Sequence, residues 1–416
     1  MVRLPRRAVG ERLRRGRSIG ELLEEELEFA RVGPFKEDAF PSPLHSERIA
    51  AILGVALGVA FLTSFATGLI SHFAQQPTDL GFLSMPAAPA WLFRFTQGLH
   101  VAAGTAAIPL LVAKLWTVFP KLFAWPPVRD LAHVVERLSL IPLVAGSLFM
   151  LTTGLINTSS WAPWAFSFTA AHFWTSLITI GALIVHIGAQ LPVTRRALSR
   201  AAARDEPEPT NVAHTRGAGL SRRGMLISVA AAAGVATLTT VGQTVRPLRE
   251  LALLAPRHPD MGPQGIPVNK SAVGASVVDS AMSPDYRLTL VGRDGQERTL
   301  SLEELRALPR HEAVLPIACV EGWSASARWG GVRVRDLAAM VGAPDGVEVM
   351  VRSLQKGGSY SSSQLNAAHV RHDDTLLALE INGETLHIDH GFPARLISPN
   401  RPGVQQTKWV KRLEVI

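Results

Sequence analysis

The sequence predicts a membrane all-α part, a four-helix bundle plus a fifth transmembrane helix, followed by a soluble α+β domain. Only 18% of the 416 residues are charged, against about 25% in typical soluble proteins. Residues 138–194 contain no Asp, Glu, Lys or Arg, a run of 57 residues that fits two membrane spans joined by a turn. From about Arg249 onward the hydrophobic runs become short and are bounded by Gly, Pro and Asp turns. A wholly soluble enzyme is therefore excluded.

Five charge-poor segments have the length that is needed to cross a hydrocarbon layer, which is about 20 residues. They are residues 49–70, 95–113, 138–156, 168–191 and 224–245. The segments divide the chain into five predicted parts. These are a cytoplasmic tail (1–44), a four-helix membrane domain (45–195), a cytoplasmic linker (196–220), a fifth transmembrane helix (221–248) and a soluble domain (249–416).

The positions of the basic residues predict the orientation in the membrane. Lys and Arg are in excess in the N-terminal tail, between spans two and three, and between spans four and five, where seven Arg lie. By the positive-inside rule these regions are cytoplasmic, so the multi-pass chain delivers its C-terminal domain outside the cytoplasmic membrane. The formal net charge of +8 is then an orientation signal in a lipid bilayer. It does not predict nucleic-acid binding, because no interleaving of aromatic and basic residues accompanies it.

The fifth span begins with a further signal. Ser221-Arg222-Arg223-Gly224-Met225-Leu226 precedes a moderately apolar segment and resembles an internal twin-arginine export signal. Two arginines that simply anchor a span are the alternative explanation. Export of a folded protein is favoured if the downstream domain contains a cofactor that is inserted in the cytoplasm.

Six histidines lie in or beside the first four spans: His45, His72, His100, His133, His172 and His186. Polar side chains in a bilayer are costly and usually functional. His172 and His186 are about four helical turns apart on span four, so both face one side at a separation of roughly 21 Å. In the predicted orientation His72, His100 and His172 lie toward the outside, and the other three toward the cytoplasm. This arrangement suits two stacked b-type haems, each held by a pair of imidazoles.

The histidine pattern resembles the cytochrome b561-like subunits of membrane-bound dehydrogenases, in which spans one, two and four supply the ligands. The resemblance implies a cytochrome b-like bundle with an outer haem on His100 and His172 and an inner haem on His45 and His186. His133 is the alternative ligand of the inner haem, and His72 is the alternative for the outer haem or for a quinone site. Histidines that only reach the membrane surface are the other explanation.

Cys319 is the single cysteine of the chain, which excludes an internal disulfide framework and any Cys-rich zinc or iron–sulfur site. One thiolate can still be the only protein ligand of a metal that brings its own donors, such as molybdenum held by a dithiolene. An inert buried cysteine is the alternative.

Several separated motifs occur within residues 285–416: 315–329 (LPIACVEGWSASARW), 331–337, 379–383, 390–399 (HGFPARLISP) and 407–412. Together they resemble the molybdopterin domain of the sulfite oxidase family. Within the first stretch, Cys-Val-Glu-x-Trp resembles the bacterial periplasmic methionine sulfoxide reductase branch in particular. The resemblance implies a sulfite oxidase-like fold in which Cys319 binds molybdenum. It also implies cofactor contacts from Ser353, His390, Arg395, Gln406, Thr407 and Lys408, with Asn269 and Lys270 contributing from upstream.

The substrate pocket is predicted to differ from that branch. Residues 352–369 form a short Ser/Gly-rich segment, where the reductase branch has a longer insertion. Glu321, Trp323 and Tyr360 are candidates for residues near Cys319 that select the substrate. The sequence assigns them no role beyond this proximity.

These features together predict a membrane-bound molybdopterin-dependent oxidoreductase that transfers an oxygen atom outside the membrane. Two b-type haems would exchange electrons with the quinone pool. Reduction of a small-molecule or protein-bound sulfoxide, or of an N-oxide, is favoured, and oxidation of sulfite with electrons passed to quinone is the alternative. A haem-free membrane anchor for a molybdoenzyme domain, and a membrane cytochrome with a C-terminal scaffold, are two further alternatives.

Overall fold

The computed structural model describes residues 40, 42–76, 85–123, 131–159, 161, 163–199, 220–358 and 360–416. The predicted cytoplasmic tail, apart from its last residues, lies outside the described residues. So does the greater part of the predicted linker at 196–220.

Five helices in the N-terminal part are long and apolar enough to cross a membrane. They are α1 (Glu47–Gln75), α2 (Leu92–Val118), α3 (Leu131–Thr158), α4 (Phe168–Ala197) and α5 (Arg222–Val241). All five predicted spans are therefore confirmed as helices, and the first four extend beyond their charge-poor segments. The fifth ends earlier than predicted, because the chain folds back on itself after Val241. A Cβ at Gly242 would lie 2.2 Å from the Leu248 carbonyl oxygen.

The chain divides into two compact units. The first comprises Met1–Gly58, Pro109–Ala145 and Gly181–Ala231, and it holds the helix ends that the charge pattern predicts to be cytoplasmic. Its apolar core contains Ile49, Leu53, Ala113 and Met225. The second unit comprises Val59–Ile108, Gly146–Ile180 and Ala232–Ile416, which are the opposite helix ends together with the C-terminal domain.

The C-terminal domain contains two sheets among its described residues. The first has the order β2-β1-β10-β5-β6, and only its β1–β10 pair is parallel. Its strands are β1 (Arg287–Val291), β2 (Glu297–Ser301), β5 (Val349–Ser353), β6 (Ser362–Leu365) and β10 (Val410–Val415). The second has the antiparallel order β3-β4-β7-β8, with β9 also pairing with β7. Its strands are β3 (His311–Ala318), β4 (Ser324–Arg333), β7 (Leu376–Ile381), β8 (Glu384–Thr385) and β9 (Arg395–Ile397).

Four short helices accompany the sheets: α6 (Val278–Met282), α7 (Leu302–Ala307), α8 (Val334–Ala339) and α9 (Ala367–Arg371). The sequence predicts helical segments near residues 302–308 and 334–341, and α7 and α8 lie there, each slightly shorter than predicted. Ser301 caps the start of α7. The Ser301 hydroxyl accepts from the Glu304 N–H, and the Glu304 carboxylate accepts from the Ser301 N–H, which is a reciprocal capping box.

The packing of the second sheet places the site. Trp329 on β4 is fully buried, and its indole N–H donates to the Leu315 carbonyl on β3 at 3.1 Å. A buried indole N–H needs such a partner, so this bond fixes how the two strands lie on each other. The loop that joins β3 to β4 is thereby held at one end of the hairpin.

Candidate functional site

Cys319 begins the loop that joins β3 to β4. The last paired residues of the hairpin are Ala318 and Ser324. Cys319 N–H donates to the Trp323 carbonyl at 2.9 Å, and Gly322 N–H donates to the Cys319 carbonyl at 3.0 Å. Gly322 has a φ of +101°, in the left-handed region that favours glycine. In this tight loop the cysteine is only 3% exposed, so its side chain is buried.

A network of polar side chains orients the sulfur. Asn269 Nδ2 donates to Cys319 Sγ at 2.8 Å, and Asn269 Oδ1 accepts from Trp323 Nε1 at 3.1 Å. Arg257 donates to the same Oδ1 and forms an ion pair with Glu321 at 2.7 Å. Asn269 therefore lies beside Cys319, and its contact with a cofactor stays a prediction. Arg257 was missed, because one arginine in a proline-rich segment carries no recognisable pattern.

Burial disfavours the charged form of Cys319. Burial, and then the nearby Glu321, raise the pKa of the thiol to about 12, and the hydrogen bond from Asn269 opposes this shift. The thiol therefore keeps its proton at neutral pH unless a cation binds to the sulfur. A bound metal ion deprotonates a coordinating thiol outright. The site is consequently poor for a free cysteine nucleophile, and thiolate ligation here requires a metal ion that displaces the proton.

Two cations near the end of the chain, Arg395 and Lys408, donate to backbone carbonyls, and the Asp389 carboxylate is near enough to Lys408 to favour its charged form. Arg395 is 2% exposed, donates to the carbonyls of His390 and Gln406, and leaves its Nε without a partner among the described residues. Burial lowers its pKa to about 9. Lys408 Nζ donates to the carbonyls of Lys270 and Asp389 at 2.9 and 2.7 Å, and burial followed by Arg395 lowers its pKa to about 7.

The lowered pKa values of Arg395 and Lys408 mean that burial makes their positive charges energetically unfavourable in the folded protein. A guanidinium with an unused buried N–H and a neighbouring ammonium together attract an anion such as phosphate. Molybdopterin carries a phosphate, so the donor set fits this cofactor. A third buried cation, Arg401, donates to Gln405 Oε1 at 3.0 Å, and burial lowers its pKa to about 10.

Two other residues with implied cofactor contacts use their side chains within the protein. The Gln406 amide accepts from the Ser398 N–H at 2.8 Å and donates to the Ser398 carbonyl at 2.7 Å. The Thr407 hydroxyl forms a 2.6 Å hydrogen bond with Ser363. These bonds hold the backbone that carries Lys408, and direct contact with a cofactor stays a prediction for both residues.

The side chains of Ser353 and His390 also form hydrogen bonds within the protein. Ser353 Oγ donates to the Lys408 carbonyl at 2.7 Å. His390 is 1% exposed, and its Nε2 lies 2.6 Å from the Pro263 carbonyl oxygen. Burial lowers the pKa of His390 to about 4, so the imidazole is neutral and donates this hydrogen bond. Both residues therefore border the same region as Lys408 and Arg395.

Tyr360 lies within electrostatic reach of Cys319. Burial, followed by the influence of Cys319, raises the pKa of its phenol. The side chain is 40% exposed to solvent. Trp323 is buried by contrast, with its indole committed to Asn269.

The structure brings two of the membrane histidines together. The ring centroids of His100 and His172 are 6.3 Å apart, at an interplanar angle of 69°. His100 Nδ1 lies 2.8 Å from the Ser64 carbonyl oxygen, so Nδ1 carries the proton and Nε2 keeps a lone pair. A metal–imidazole bond is about 2 Å long and a ring nitrogen lies about 1 Å from its centroid, so two imidazoles on one metal have centroids about 6 Å apart. The spacing therefore fits one metal between the two rings.

Gly68 makes room for the ring of His100, because a Cβ there would lie 3.0 Å from His100 Cε1. A Cβ at Gly154 would lie in ordinary contact with His172 Cε1, at 3.8 Å. His72, the alternative outer ligand, instead stacks on Phe173 with centroids 3.7 Å apart and planes at 6°.

The predicted inner ligands are placed differently. The ring of His45 lies against Trp116 and Phe119, and its Nδ1 is 3.2 Å from the Thr117 carbonyl oxygen. His186 Nδ1 is buried without a partner among the described residues, and within that part of the chain no ring contact joins it to His45. His133 Nε2 accepts from Arg137 Nε at 3.4 Å. The inner pairing therefore stays a prediction.

Comparison with known proteins places the Cys319 loop in a described family. Residues 275–416 match the model of the oxidoreductase molybdopterin binding domain. The chain is 31% identical over 173 residues to sulfite oxidase of Arabidopsis thaliana, which covers 34% of this chain and 44% of that protein. It is 31% identical over 163 residues to the putative protein-methionine-sulfoxide reductase subunit YedZ1 of Azospira oryzae, covering 39% and 61%. The sulfane dehydrogenase SoxCD from Paracoccus pantotrophus aligns with a TM-score of 0.29 and 26% identity over 32% of this chain and 40% of that chain.

The chain thus spans less than two thirds of each of these relatives. Cys319, Arg395 and Lys408 all fall inside the segment that matches the family, and their burial and charge fit a soft metal with an anionic pterin. Residues 275–416 therefore form a molybdopterin-binding oxidoreductase domain that is similar to the sulfite oxidases.

Proposed function

We propose that the protein is a membrane-bound molybdopterin-dependent oxidoreductase that transfers an oxygen atom outside the cytoplasmic membrane. It exchanges electrons with the quinone pool through b-type haems. Reduction of a sulfoxide or N-oxide, carried by a small molecule or a protein, is the favoured direction. The similarity to a putative protein-methionine-sulfoxide reductase subunit supports this direction.

The observation that carries the proposal is the setting of Cys319. Its sulfur is buried in a closed hairpin loop and accepts a 2.8 Å hydrogen bond from Asn269. The same loop lies within the segment that matches the molybdopterin-binding family. A buried sulfur that an amide orients can serve as the one protein ligand of a soft metal ion, which displaces the thiol proton on binding.

Molybdenum held by a dithiolene supplies two-electron oxygen-atom transfer when it is bound. Cys319 would provide the thiolate ligand, and Asn269 would hold that sulfur and reduce its electron donation through the hydrogen bond. Arg395 and Lys408 would pair with the phosphate of the pterin. Ser353 holds the backbone of Lys408 and so keeps the ammonium in place.

The paired rings of His100 and His172 support an outer haem. Their 6.3 Å centroid separation suits a shared axial metal, and the bond from His100 Nδ1 to Ser64 orients the other nitrogen. We assign the inner haem to His45 and His186, with His133 as the alternative, on the resemblance to cytochrome b561-like subunits.

The proposed location follows from the helices and their flanking charges. Five helices that are able to span a bilayer, with Arg222 and Arg223 at the start of the fifth, are compatible with an extracytoplasmic C-terminal domain. The twin-arginine pair would allow export after cofactor insertion.

A metal analysis of the purified full-length protein tests the ligand assignment. We expect molybdenum in the wild type and in Val320→Ala, a matched variant in the same loop, and its loss in Cys319→Ala. Molybdenum that is unaffected by Cys319→Ala would overturn the proposal.

The haem assignment is tested by a reduced-minus-oxidised absorption spectrum. Bands of b-type haem are expected in the wild type, with a partial loss in His172→Leu. A wild type that lacks these bands while retaining molybdenum would favour a haem-free membrane anchor.

The direction of electron flow separates the two candidate activities. The similarity to sulfite oxidase of Arabidopsis thaliana favours the alternative activity, oxidation of sulfite. In the reductase direction, dithionite-reduced haem is reoxidised by a sulfoxide or an N-oxide. If none of these reoxidises the haem while sulfite reduces the oxidised protein, the sulfite oxidase activity replaces the favoured one.

A further inference from the structure

We propose that Gln97 is a positioning residue that docks the Cys319 loop onto the end of α2 and so fixes the electron path between Cys319 and His100. The identity of the two redox groups rests on the proposed function. The contacts that carry the inference all lie within the second compact unit.

The residues on both sides of Cys319 lie against helix ends. Ala318 packs with Ala74 near the end of α1 and with Phe93 near the start of α2. Gly322 lies against Val101 on α2, where an added Cβ would come within 2.7 Å of Val101 Cγ2. The residues that precede and follow Cys319 in the chain are therefore packed against helix α2, and Ala318 is also packed against α1.

Side chains from α2 and from the segment after α5 donate hydrogen bonds to carbonyl groups of the loop. Gln97 Nε2 donates to the Val320 carbonyl at 2.8 Å, and Thr244 Oγ1 donates to the Gly322 carbonyl at 2.5 Å. Backbone groups of a buried turn need partners, and here side chains beyond the hairpin supply them. The conformation of the loop thus depends on α2 and on the segment that follows α5.

Gln97 is committed to this one contact. The residue is 4% exposed, and its Oε1 has no partner among the described residues. Its amide therefore gains hydrogen bonding only through Nε2 and Val320. A glutamine buried at such a cost, beside the only cysteine, has a specific role in holding the loop.

Gln97 and His100 are neighbours on one face of α2. Residues three apart on a helix lie about one turn from each other on the same side. A short bonded route therefore runs from Cys319 through the Val320 carbonyl, across one hydrogen bond to Gln97, and along less than a turn to His100. His100 in turn lies beside His172.

The proposed reaction requires that electrons pass along this route between the His100 side and the Cys319 side. In the reductase direction a quinol releases two electrons and two protons, and the electrons pass singly from the His100 side to the Cys319 side. The sulfoxide takes up two electrons and two protons, its S–O bond breaks, and sulfide and water leave. Gln97 is neither oxidised nor reduced, and it keeps Val320, and hence Cys319, at a constant distance from His100.

The test compares two variants on the same helix. Gln97→Met keeps the length of the side chain and removes the donor to Val320. Arg94→Met is the matched control, because Arg94 Nη1 donates at 3.2 Å to Ser326 Oγ on β4, outside the loop. Full-length protein in detergent is reduced with a stoichiometric amount of dithionite and mixed anaerobically with methionine sulfoxide, and haem absorbance is followed in a stopped-flow instrument.

Loss of a contact worth about 1.4 kcal/mol lowers the ratio of docked to undocked loop about tenfold, so we expect reoxidation of the haem to slow by up to about tenfold in Gln97→Met and to be unchanged in Arg94→Met. Molybdenum content, haem content and haem midpoint potentials should match the wild type in both variants. A purely structural role would lower the contents or the stability without changing the rate per loaded molecule. An equal rate in Gln97→Met and the wild type would overturn the proposal for Gln97 and leave the proposed function standing.

Failure of the proposed function gives a different result. Wild-type haem that is reoxidised by no sulfoxide or N-oxide and is not reduced by sulfite would overturn both proposals. If only sulfite reacts, the same comparison is made on the rate of haem reduction. Should Gln97→Met lose haem or molybdenum, Thr244→Val removes the neighbouring donor to Gly322. A slowed rate in that variant supports the docking, and an unchanged rate overturns it.

Discussion

Replacing Asn269 with alanine tests how the cysteine is held. The change removes the donor to Cys319 Sγ and leaves the buried indole N–H of Trp323 without its acceptor, whereas Arg257 keeps Glu321. A buried donor without a partner costs about 1–3 kcal/mol, so together with the lost sulfur contact the domain loses about 2–4 kcal/mol. For a domain of this size that corresponds to a melting temperature lowered by about 10 °C. Loss of a residue that orients a metal ligand also weakens metal binding by about 10–100-fold.

The assay measures thermal unfolding and molybdenum per chain on the same samples of full-length protein. Asn366→Ala is the control. Asn366 caps α9 by accepting from the His369 N–H, and loss of a cap costs about 1 kcal/mol. We expect the control to melt a few degrees lower with normal molybdenum, and Asn269→Ala to lose both stability and metal. An Asn269→Ala variant that melts with the wild type and retains its molybdenum would refute the reasoning, as would equal metal loss in the control.

Three further predictions concern the outer haem, the loop and the pH dependence. Gly68→Ala should shift the haem spectrum and midpoint potential, because its Cβ would lie 3.0 Å from His100 Cε1, while Gly58→Ala, with no atom within 4 Å of its Cβ, should change neither. Gly322→Ala should lower the free energy of unfolding by about 1–3 kcal/mol, since it combines a φ of +101° with a steric clash, and an unchanged melting curve would contradict this. Burial lowers the pKa of His369 to about 3 in the folded state, so stability is fully present above about pH 6.5 and falls as the pH drops toward 3. His369→Gln should remove up to about 1.4 kcal/mol per pH unit from that acid slope, and identical slopes in the two proteins would show that this histidine does not contribute.

Sequence patterns predicted those parts of the fold that a strong physical rule governs. A hydrocarbon layer requires a fixed length of uncharged chain, and all five helices occur where such segments lie. The end of the fifth helix was misplaced, because the close packing of Gly242 on Leu248 is a tertiary contact that composition does not reveal. Likewise, the short strands were recognised by their bounding turns, whereas their order in the two sheets was not predicted.

The candidate site was predictable in part for the same reason. The predicted orientation pairs His100 with His172, and their rings are 6.3 Å apart. Arg257 and Gln97 were not predicted. Each reaches the Cys319 loop through a single contact between residues distant in sequence, and a lone arginine or glutamine has no pattern to recognise.

The central claim is that Cys319 holds the metal that exchanges electrons with the haems. The most direct measurement is the anaerobic reoxidation of dithionite-reduced haem by methionine sulfoxide in the wild type and in Cys319→Ala, with equal haem contents. We expect reoxidation in the wild type and haem that stays reduced in Cys319→Ala. Equal reoxidation in both proteins would contradict it, because the electrons would then leave the haem by a route that does not involve Cys319.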